Sequence, residues 1–263
     1  MISAYTTAFN FENINLSLAD ALSNWFVYCD EVVISTTQKD LEEARKQIRG
    51  FPLLDKIKIV SSDVDTNDLF WDGKLKNTGL QNCSNKVVFQ IDLDERIAGD
   101  KDQLIKLAEA ILQRPDPCSI SIQNIDLFGD LEHYKSTGRK WYLHSRDGCY
   151  RGAVNFAILD NGVFDPEKSD TCELIDESGD LIVCVGTTHL TLDSPKVFHL
   201  GFLDLERRAR LNKTFWRDIW SERKSLSQQK EIEADDVTID IKDFDEVETY
   251  NHGMALPLWP TIK

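Results

Sequence analysis

The stretch that decides the fold is Val87-Val88-Phe89-Gln90-Ile91-Asp92-Leu93-Asp94-Glu95. It starts with a run that is apolar apart from one glutamine and rich in β-branched residues, which is typical of a buried strand. Two carboxylates follow at once, at positions i and i+2. Such side chains can project on the same side while Leu93 anchors the turn inward. We therefore interpret the stretch as a buried strand that delivers Asp92 and Asp94 to one edge of a sheet.

The chain before this stretch alternates between strand-like and helix-like patterns. Strands are predicted at 1–8, 31–35, 57–60 and 87–91, and helices at 16–26, at 38–49 and within 66–83. Asn15 or Ser17 is expected to cap the first helix, and Gly50 to end the second. This alternation predicts an α/β fold with a mostly parallel sheet and helices on both faces. Ligands of such sheets bind at the carboxyl ends of the strands, where Asp92 and Asp94 are expected.

The pattern changes after a predicted helix at 101–113. Strands are expected at 119–125, within 141–160 and twice within 180–199, followed by a long helix at 203–224 and an acidic tail. Short strands without intervening helices are typical of mixed or antiparallel β structure. The second half is therefore expected to differ in architecture from the first.

The balance of charge restricts the ligands. The net charge of −15 excludes extended duplex nucleic acid as a partner, because phosphate contacts along a duplex need a basic face. A small phosphorylated ligand is still allowed, since one local pocket or one divalent cation can neutralise a diphosphate.

The pattern of cysteines and the first residues of the chain predict the cellular compartment. None of the six cysteines forms a C-x-x-C pair, and most lie in or beside apolar runs, so we expect buried free thiols in a reducing environment. The first residues lack the pattern of a signal peptide. No stretch approaches the roughly 18 apolar residues that span a bilayer. We expect a soluble, cytoplasmic protein with no transmembrane segment.

The D-x-D pattern of Asp92 and Asp94 suits a hard divalent cation. Mg²⁺ or Mn²⁺ is held by one or two carboxylates together with phosphate oxygens. Such an ion neutralises the charge that builds on a leaving diphosphate. A second D-x-D at Asp63-Val64-Asp65 lacks a comparable buried strand before it and is expected in a solvated loop. The position after the fourth predicted strand distinguishes Asp92 and Asp94 from this copy.

A more specific signal comes from five segments and their order. They are Ile2-Ser3-Ala4-Tyr5, Asp30-Glu31-Val32-Val33-Ile34, Lys76-Asn77, Gln90-Ile91-Asp92-Leu93-Asp94-Glu95 and Val197-Phe198-His199-Leu200-Gly201. Together they resemble the inverting family 2 glycosyltransferases of the GT-A fold, especially enzymes that build surface polysaccharide. The resemblance is strong over 1–100, weak over 115–185, and returns over 197–215. It implies transfer of a sugar from a UDP- or GDP-linked donor to a hydroxyl of a glycan or lipid-linked glycan.

The resemblance also implies a metal site for Mn²⁺ or Mg²⁺. Asp94 corresponds to the principal metal ligand, and Asp92 binds the ribose or the metal. His199 matches a late histidine that often completes the site in this fold. An imidazole ligand favours Mn²⁺ over Mg²⁺, although a structural histidine at a strand end is the alternative.

The nucleoside side of the resemblance is less complete. Thr6 and Thr7 lie where the family holds the nucleoside, and Lys76, or its neighbour Lys74, could contact the nucleotide or its phosphates. The family usually carries an aspartate at the end of the second strand that reads the base. Here Thr36 stands in a run of hydroxyl residues, Ser35-Thr36-Thr37, which can hydrogen-bond a base edge but leaves the preference for uridine open.

The general base for the acceptor hydroxyl is poorly marked. Direct displacement needs one carboxylate opposite the leaving diphosphate. The usual Glu-Asp pair of the family is not recognisable. The downstream candidates are Asp147, Asp170, Glu173 and Asp176, of which Glu173 is our first choice and Asp147 our second. We divide the chain into a nucleotide-sugar-binding half (1–100), an acceptor-binding half (101–202) and a C-terminal helix with an acidic tail (203–263).

The predicted C-terminal helix bears on the acceptor. Residues 203–224 carry seven basic side chains in an otherwise acidic protein. They could meet a diphosphate or an anionic lipid-linked acceptor, which would bring peripheral membrane contact, or they could form a solvated face.

Two other functions compete with this interpretation. A sugar-phosphate nucleotidyltransferase would resemble enzymes with a glycine-rich loop after the first strand, and residues 6–12 contain no glycine. A non-catalytic sugar- or nucleotide-binding relative is favoured by the missing aspartate and the unclear base. The retained Asp92, Asp94 and His199 argue against it.

Overall fold

The computed structural model describes residues 1–9, 17–65, 71–131, 133–152, 173–189, 193–204 and 248–249. The strands in these ranges are β1 Ile2–Thr7, β2 Glu31–Thr37, β3 Ile57–Ser62, β4 Val87–Gln90, β5 Glu95–Ala98, β6 Cys118–Phe128, β7 His133–Ser145, β8 Tyr150–Gly152, β9 Glu173–Ile175, β10 Val183–Thr187, β11 Lys196–Phe202 and β12 Glu248–Thr249. The α-helices are α1 Leu18–Tyr28, α2 Leu41–Gln47, α3 Trp71–Gln81 and α4 Lys101–Leu112, and a short 3-10 helix, Leu54–Lys56, precedes β3.

Most strands belong to one large sheet with the order β3-β2-β1-β4-β7-β6-β11-β5. The first four strands of the chain pair in parallel, whereas β7 is antiparallel to both β4 and β6. β11 runs parallel to β6 and antiparallel to β5. β10 and β12 add to β6 and β7, and β8 pairs with β9 in a small separate sheet. The predicted α/β fold, with a mostly parallel first half flanked by helices and a mixed second half, is confirmed.

The local signals in the first half act as expected. Ser17 is the N-cap of α1, and its hydroxyl accepts a hydrogen bond from the backbone of Asp20. The alternative cap, Asn15, lies outside the described residues. The chain turns after α2 at Gly50, whose φ of 82° is a left-handed conformation that favours glycine. Asp63 and Asp65 are exposed in a loop, as expected for the second D-x-D.

The second half differs in detail from the prediction. β7 begins at His133, several residues before the predicted 141–160 region, and pairs along most of β6. The two strands expected within 180–199 are confirmed as β10 and β11. Strands β5 and β9 were not predicted. The helix expected at 203–224 and the acidic tail fall almost entirely outside the described residues.

Helix α1 holds β5 in place through side chains that contact its backbone. The Asn24 side chain donates to the carbonyl of Ile97 at 2.9 Å and accepts from the Ile97 backbone N–H at 2.7 Å. The Trp25 indole donates to the carbonyl of Glu95 at 3.1 Å. Asn24 and Trp25 are fully buried, so these contacts satisfy strand groups that have no access to water. The strand after Asp94 is therefore positioned by a helix some seventy residues earlier in the chain.

The cysteine prediction holds for most of the sites. In the described part of the chain, Cys29, Cys83, Cys118 and Cys149 are buried free thiols, and Cys184 is an exposed one. Cys172 lies outside the described residues. None of the helices in that part of the chain has the length and apolarity needed to cross a membrane.

Substitution of Asn24 tests its role in holding β5. Asn24→Ala removes both partners of Ile97 and leaves a buried N–H and a buried C=O unsatisfied, so we expect the free energy of unfolding to fall by about 3 kcal/mol. Ser23→Ala on the same helix removes only a bond to the Ala19 carbonyl and serves as the control, with a change of about 0.5 kcal/mol or less. Urea unfolding measures both. Equal effects of the two variants would contradict the assigned role of Asn24.

Candidate active site

The D-x-D segment forms a closed turn at the carboxyl end of β4. Ile91 still donates its backbone N–H to Tyr5 of β1 at 3.1 Å. Asp92 then donates its backbone N–H to the Glu95 carboxylate at 2.8 Å, and Glu95 returns its own N–H to the Asp92 carbonyl at 2.9 Å. Since Glu95 is fully buried, this reciprocal pair fixes the turn that presents Asp92 and Asp94.

Asp94 and His199 meet across the sheet. The Nε2 atom of His199 lies 3.1 Å from Oδ2 of Asp94, and the backbone N–H of Leu200 donates to the Asp94 carbonyl at 2.7 Å. This contact follows from the sheet order, because β11 pairs with β5 with His199 opposite Glu95. The structure thus brings together two of the predicted metal-site residues that are 105 positions apart in sequence.

The other nitrogen of His199 is also occupied. Its Nδ1 lies 2.8 Å from Oδ1 of Asp126, a residue of β6 that stands beside His199 in the parallel register. Burial alone lowers the pKa of His199, but the negative charges and hydrogen bonds of Asp94 and Asp126 outweigh burial and raise the pKa to about 10. In the absence of a metal ion, His199 is therefore protonated at neutral pH.

Asp92 is paired differently from Asp94. Its Oδ1 lies 3.1 Å from Nζ of Lys76 and accepts a hydrogen bond from the Gln90 amide at 2.8 Å. Lys76 comes from α3, is buried, and also lies 3.7 Å from Asp72 one turn earlier. Of the two lysines suggested by the sequence, Lys76 is thus the one shown in contact with the D-x-D segment. A cation beside Asp92 suits a site that receives a diphosphate.

The geometry around Asp94 and His199 fits a divalent cation. Asp94 and His199 offer a carboxylate oxygen and an imidazole nitrogen, donor types that bind Mn²⁺, and these two atoms lie 3.1 Å apart. Gly201 leaves space beside both donor atoms, because a Cβ there would lie 2.6 Å from His199 Nε2 and 2.8 Å from Asp94 Oδ2. In the described ranges no three acidic, histidine or cysteine side chains form a ready-made metal cage. The roles of Asp92, Asp94 and His199 as metal ligands stay predictions.

The hydroxyl residues predicted for the nucleoside lie on the carboxyl ends of β1 and β2. Thr7 pairs with Ser35 in the parallel register, and Thr6 and Thr36 are fully buried nearby. Within the described ranges, the buried hydroxyls of Ser35 and Thr36 have no hydrogen-bond partner. Orphaned hydroxyls of this kind are rare in folded proteins. Their place at the ligand-binding edge is compatible with the predicted nucleoside contact, which stays a prediction.

The two candidate bases belong to different parts of the structure. Glu173 lies on the small β8–β9 sheet, and Asp147 lies in the turn after β7. Glu173 of β9 pairs with Gly152, next to Arg151, whose guanidinium reaches Gln90 at 3.4 Å. Its Oε2 is buried with no hydrogen-bond partner among the described residues. Burial raises the pKa of Glu173, with Arg151 acting in the opposite direction.

Asp147, the second candidate base, is not brought to this edge. It follows Arg146, whose backbone N–H donates to the Lys86 carbonyl at 2.8 Å, just before β4 begins. Its side chain is 67% exposed and is held by Arg146. The length of β4 therefore separates Asp147 from Asp92. The role of Glu173 as the base stays a prediction.

Sequence reasoning missed Asp126 and Gln90 and gave no role to Gly201. Asp126 directly follows the predicted strand at 119–125, but only the pairing of β6 with β11 places it against His199. Gln90 was quoted as part of the resemblance and read as a strand residue, although a polar side chain inside a buried strand was a usable signal. Gly201 could have been questioned as a small residue directly after the predicted metal-site strand.

Comparison with known proteins supplies likenesses of fold only. Neither a protein-family model nor a curated relative matches the sequence. The structure of S. aureus TarS residues 1–349 is similar to 88% of this chain, and the match covers 68% of the TarS fragment, with 15% identity and a TM-score of 0.41. A second structure of the same fragment is a complex with UDP. In another TarS structure the match covers 42% of the TarS chain.

Smaller likenesses extend to two other solved structures. The match to the 4-diphosphocytidyl-2C-methyl-D-erythritol synthase of Anaerococcus prevotii spans 54% of this chain and 63% of the synthase, at 13% identity and a TM-score of 0.33. The match to HddC of Yersinia pseudotuberculosis spans 55% of this chain and 72% of HddC, at 12% identity and a TM-score of 0.35. These likenesses are too distant to identify an activity.

The pKa of His199 predicts a pH dependence of stability in the metal-free protein. Because the folded-state pKa of about 10 lies above the unfolded value of 6.5, the stabilisation is complete below pH 6.5 and is lost as the pH rises through 10. The wild type and His199→Gln are unfolded in the presence of a chelator at a series of pH values. The wild type should be more stable, by an unfolding free energy on the order of 5 kcal/mol at most, and this difference should shrink as the pH rises from 6.5 to 10. A difference that stays constant up to pH 10.5 would contradict this protonation state.

Proposed function

We propose that this chain is a metal-dependent, inverting glycosyltransferase that moves a sugar from a nucleoside-diphosphate sugar to a hydroxyl acceptor. The observation that carries the proposal is the meeting of Asp94 and His199 at 3.1 Å on the carboxyl edge of a mostly parallel sheet, beside Lys76 and Asp92. It agrees with the sequence resemblance to family 2 enzymes. The acceptor is proposed to be a glycan or lipid-linked glycan of polysaccharide synthesis, and the site of action the cytoplasm.

The donor would be bound by the carboxyl ends of β1, β2 and β4. Asp94 and His199 would hold Mn²⁺ or Mg²⁺, and that ion would supply Lewis-acid stabilisation of the departing diphosphate. Lys76 adds a fixed positive charge on the same side, and its contact with Asp92 keeps the ammonium group aimed at this edge. Thr6, Thr7 and Thr36 would contact the nucleoside. UDP and GDP are the nucleotides to compare, because no aspartate at the end of β2 selects the base.

Glu173 is the proposed general base. Direct displacement requires the acceptor hydroxyl to lose its proton as its oxygen bonds to the anomeric carbon and the diphosphate leaves. The Glu173 carboxylate would take that proton. Burial raises the pKa of Glu173, which makes its carboxylate a stronger base, and the charge of Arg151 acts in the opposite direction.

A non-catalytic nucleotide- or sugar-binding protein of the same fold is the second candidate. The specific observation in its favour is the run Ser35-Thr36-Thr37, which replaces the carboxylate expected at the end of β2. Incubation with a panel of sugar donors distinguishes the two, because only a transferase releases nucleoside diphosphate. A sugar-phosphate nucleotidyltransferase would instead exchange pyrophosphate with a nucleoside triphosphate.

Metal-dependent nucleotide binding tests the donor site. UDP or GDP with Mn²⁺ should raise the melting temperature by about 5 °C or more at saturating concentrations, since a ligand at a hundred times its Kd stabilises by about 2.7 kcal/mol. Asp94→Asn and Gly201→Ala should abolish the Mn²⁺-dependent part, because one removes a ligand charge and the other fills the space beside both donor atoms. Gly186→Ala is the matched control, since among the described residues its Cβ would meet only Ile120, at 3.8 Å.

The outcome of this experiment is decisive for the metal. A shift that is the same with and without Mn²⁺, or that survives Asp94→Asn and Gly201→Ala, contradicts the proposed metal site. Loss of the shift in Gly186→Ala would show that the alanine effect is not specific to the site.

Substitution of Glu173 tests the proposed base. Glu173→Gln should lower kcat by about 100-fold to 10,000-fold while leaving the nucleotide- and Mn²⁺-dependent thermal shift unchanged, because it removes proton transfer but not donor binding. Asp147→Asn is the control and should retain full activity. In the wild type, kcat should fall as the pH drops through the raised pKa of Glu173. Full activity of Glu173→Gln in the donor-release assay would exclude it as the base.

A further inference from the structure

A continuous chain of polar contacts runs behind the proposed metal site and closes on the D-x-D turn. Its links are Asp94 Oδ2 to His199 Nε2 at 3.1 Å, His199 Nδ1 to Asp126 Oδ1 at 2.8 Å, Asn124 Nδ2 to Asp126 Oδ1 at 3.0 Å, Tyr142 OH to Asn124 Oδ1 at 2.7 Å, Tyr142 OH to Glu95 Oε1 at 2.7 Å, and Asp92 N to Glu95 Oε2 at 2.8 Å. These contacts join four strands, β5, β6, β7 and β11, and one turn. Within these contacts, Asp126 touches His199 directly, and no sequence motif marks Asp126 as a functional residue.

Building on the proposed metal-dependent function, we propose that Asp126 is a positioning residue that orients His199 for metal binding. Its carboxylate holds Nδ1 of the imidazole and thereby directs Nε2 toward Asp94. Asp126 does not itself coordinate the ion, because its Oδ1 is committed to Nδ1 on the far side of the ring. The pair forms the carboxylate–histidine arrangement in which the second ring nitrogen serves the metal.

The geometry of the sheet makes this orientation specific. A histidine ring can flip about its outer torsion and exchange the positions of its nitrogens unless a partner holds one of them. Asp126 stands beside His199 in the parallel pairing of β6 and β11, so the carboxylate is delivered to the ring by the strand register. The Asn124 amide at 3.0 Å holds the same carboxylate oxygen in place. The support for His199 is therefore built into a rigid part of the sheet.

Burial makes the contact effective. The His199 side chain is 14% exposed, and those of Asp94 and Asp126 are each 25% exposed. At this depth water competes weakly for the imidazole, so loss of the carboxylate would leave Nδ1 without an equivalent partner. A ligand held within a few tenths of an ångström binds a metal more tightly than one that must be ordered on binding.

The chain contains a matched control for this inference. Asp130 and His133 form the same type of contact at 2.8 Å near the turn between β6 and β7, but their side chains are 54% and 41% exposed. The Asp130–His133 pair therefore repeats the chemistry of Asp126 and His199 without the burial. It lies on the β6–β7 hairpin, to which Asp126 also belongs. Asp130→Ala removes an equal charge from the protein without touching the polar chain.

The test measures Mn²⁺ affinity directly, without turnover. The full chain is saturated with whichever of UDP or GDP gives the larger thermal shift, and free Mn²⁺ is followed by electron paramagnetic resonance during a titration. Asp126→Ala should weaken Mn²⁺ binding by about 10-fold to 100-fold, which is the usual effect of removing such an outer partner. Asp130→Ala should leave the affinity unchanged. Nucleotide affinity without metal should be the same in all three proteins.

A double-mutant cycle separates positioning from a general structural or charge effect. If Asp126 acts through His199, adding Asp126→Ala to His199→Ala should cause no further loss of Mn²⁺ affinity. Additive losses in the double variant would overturn the inference. Circular dichroism and unfolding curves check that each variant is folded, and Asp126→Asn replaces Asp126→Ala if the latter is not.

Asp126→Asn keeps the size of the side chain and one acceptor oxygen for Nδ1, so it should weaken Mn²⁺ binding less than the alanine variant but measurably. Unchanged affinity in a folded Asp126 variant, with normal Mn²⁺ binding in the wild type, overturns the role of Asp126 alone. A wild-type protein that binds no Mn²⁺ in the presence of either nucleotide overturns the proposed metal-dependent function, and this inference with it. The two failures are therefore distinguishable.

Discussion

The buried carboxylate of Glu95 is the constraint on which the rest of the site depends. One of its oxygens accepts the backbone N–H of Asp92, and the other lies 2.7 Å from the Tyr142 hydroxyl. Burial of a carboxylate is unfavourable unless hydrogen bonds compensate for the lost hydration, so these partners and the fold require one another. Glu95 is also the first residue of β5, which pairs with β11. The same residue therefore closes the D-x-D turn and begins the strand that follows it. The two acids of the site cannot move independently of the sheet.

The sheet order then places chemistry contributed by distant parts of the chain at one edge. Strand β11 is inserted between β5 and β6, so that His199 faces Asp94 on one side and Asp126 on the other. Two carboxylates around one imidazole are stable without a metal because the ring carries a proton, which agrees with the raised pKa of His199. Asp94 and His199 would hold the proposed divalent ion, and binding would require His199 to give up its added proton.

The first half of the fold could be predicted because its signals are local. Each of its strands is a short β-branched or apolar run, and Ser17 and Gly50 mark helix boundaries by capping and turn chemistry that need no tertiary contact. Strand β5 was missed for a physical reason. Its residues are partly polar and directly follow a turn, and they become a strand only because Asn24 and Trp25 of α1 and the edge of β11 satisfy their backbone groups. The four residues of β5, Glu95–Ala98, show no alternation of polar and apolar side chains that would have predicted a strand.

By itself, the amino-acid sequence determined the α/β class, the parallel pairing of the first four strands and the choice of Asp92 and Asp94, because strand and helix propensities and the spacing of acids are local properties. Lys76 and His199 became candidates through the resemblance to family 2 glycosyltransferases. Only the tertiary structure decided which of these residues meet. It paired Lys76 with Asp92 and His199 with Asp94, placed Asp147 at the far end of β4, and put the unmarked Asp126 behind the imidazole. The reason is that strand order and register set which side chains are neighbours, and neither is encoded in any single stretch of the chain.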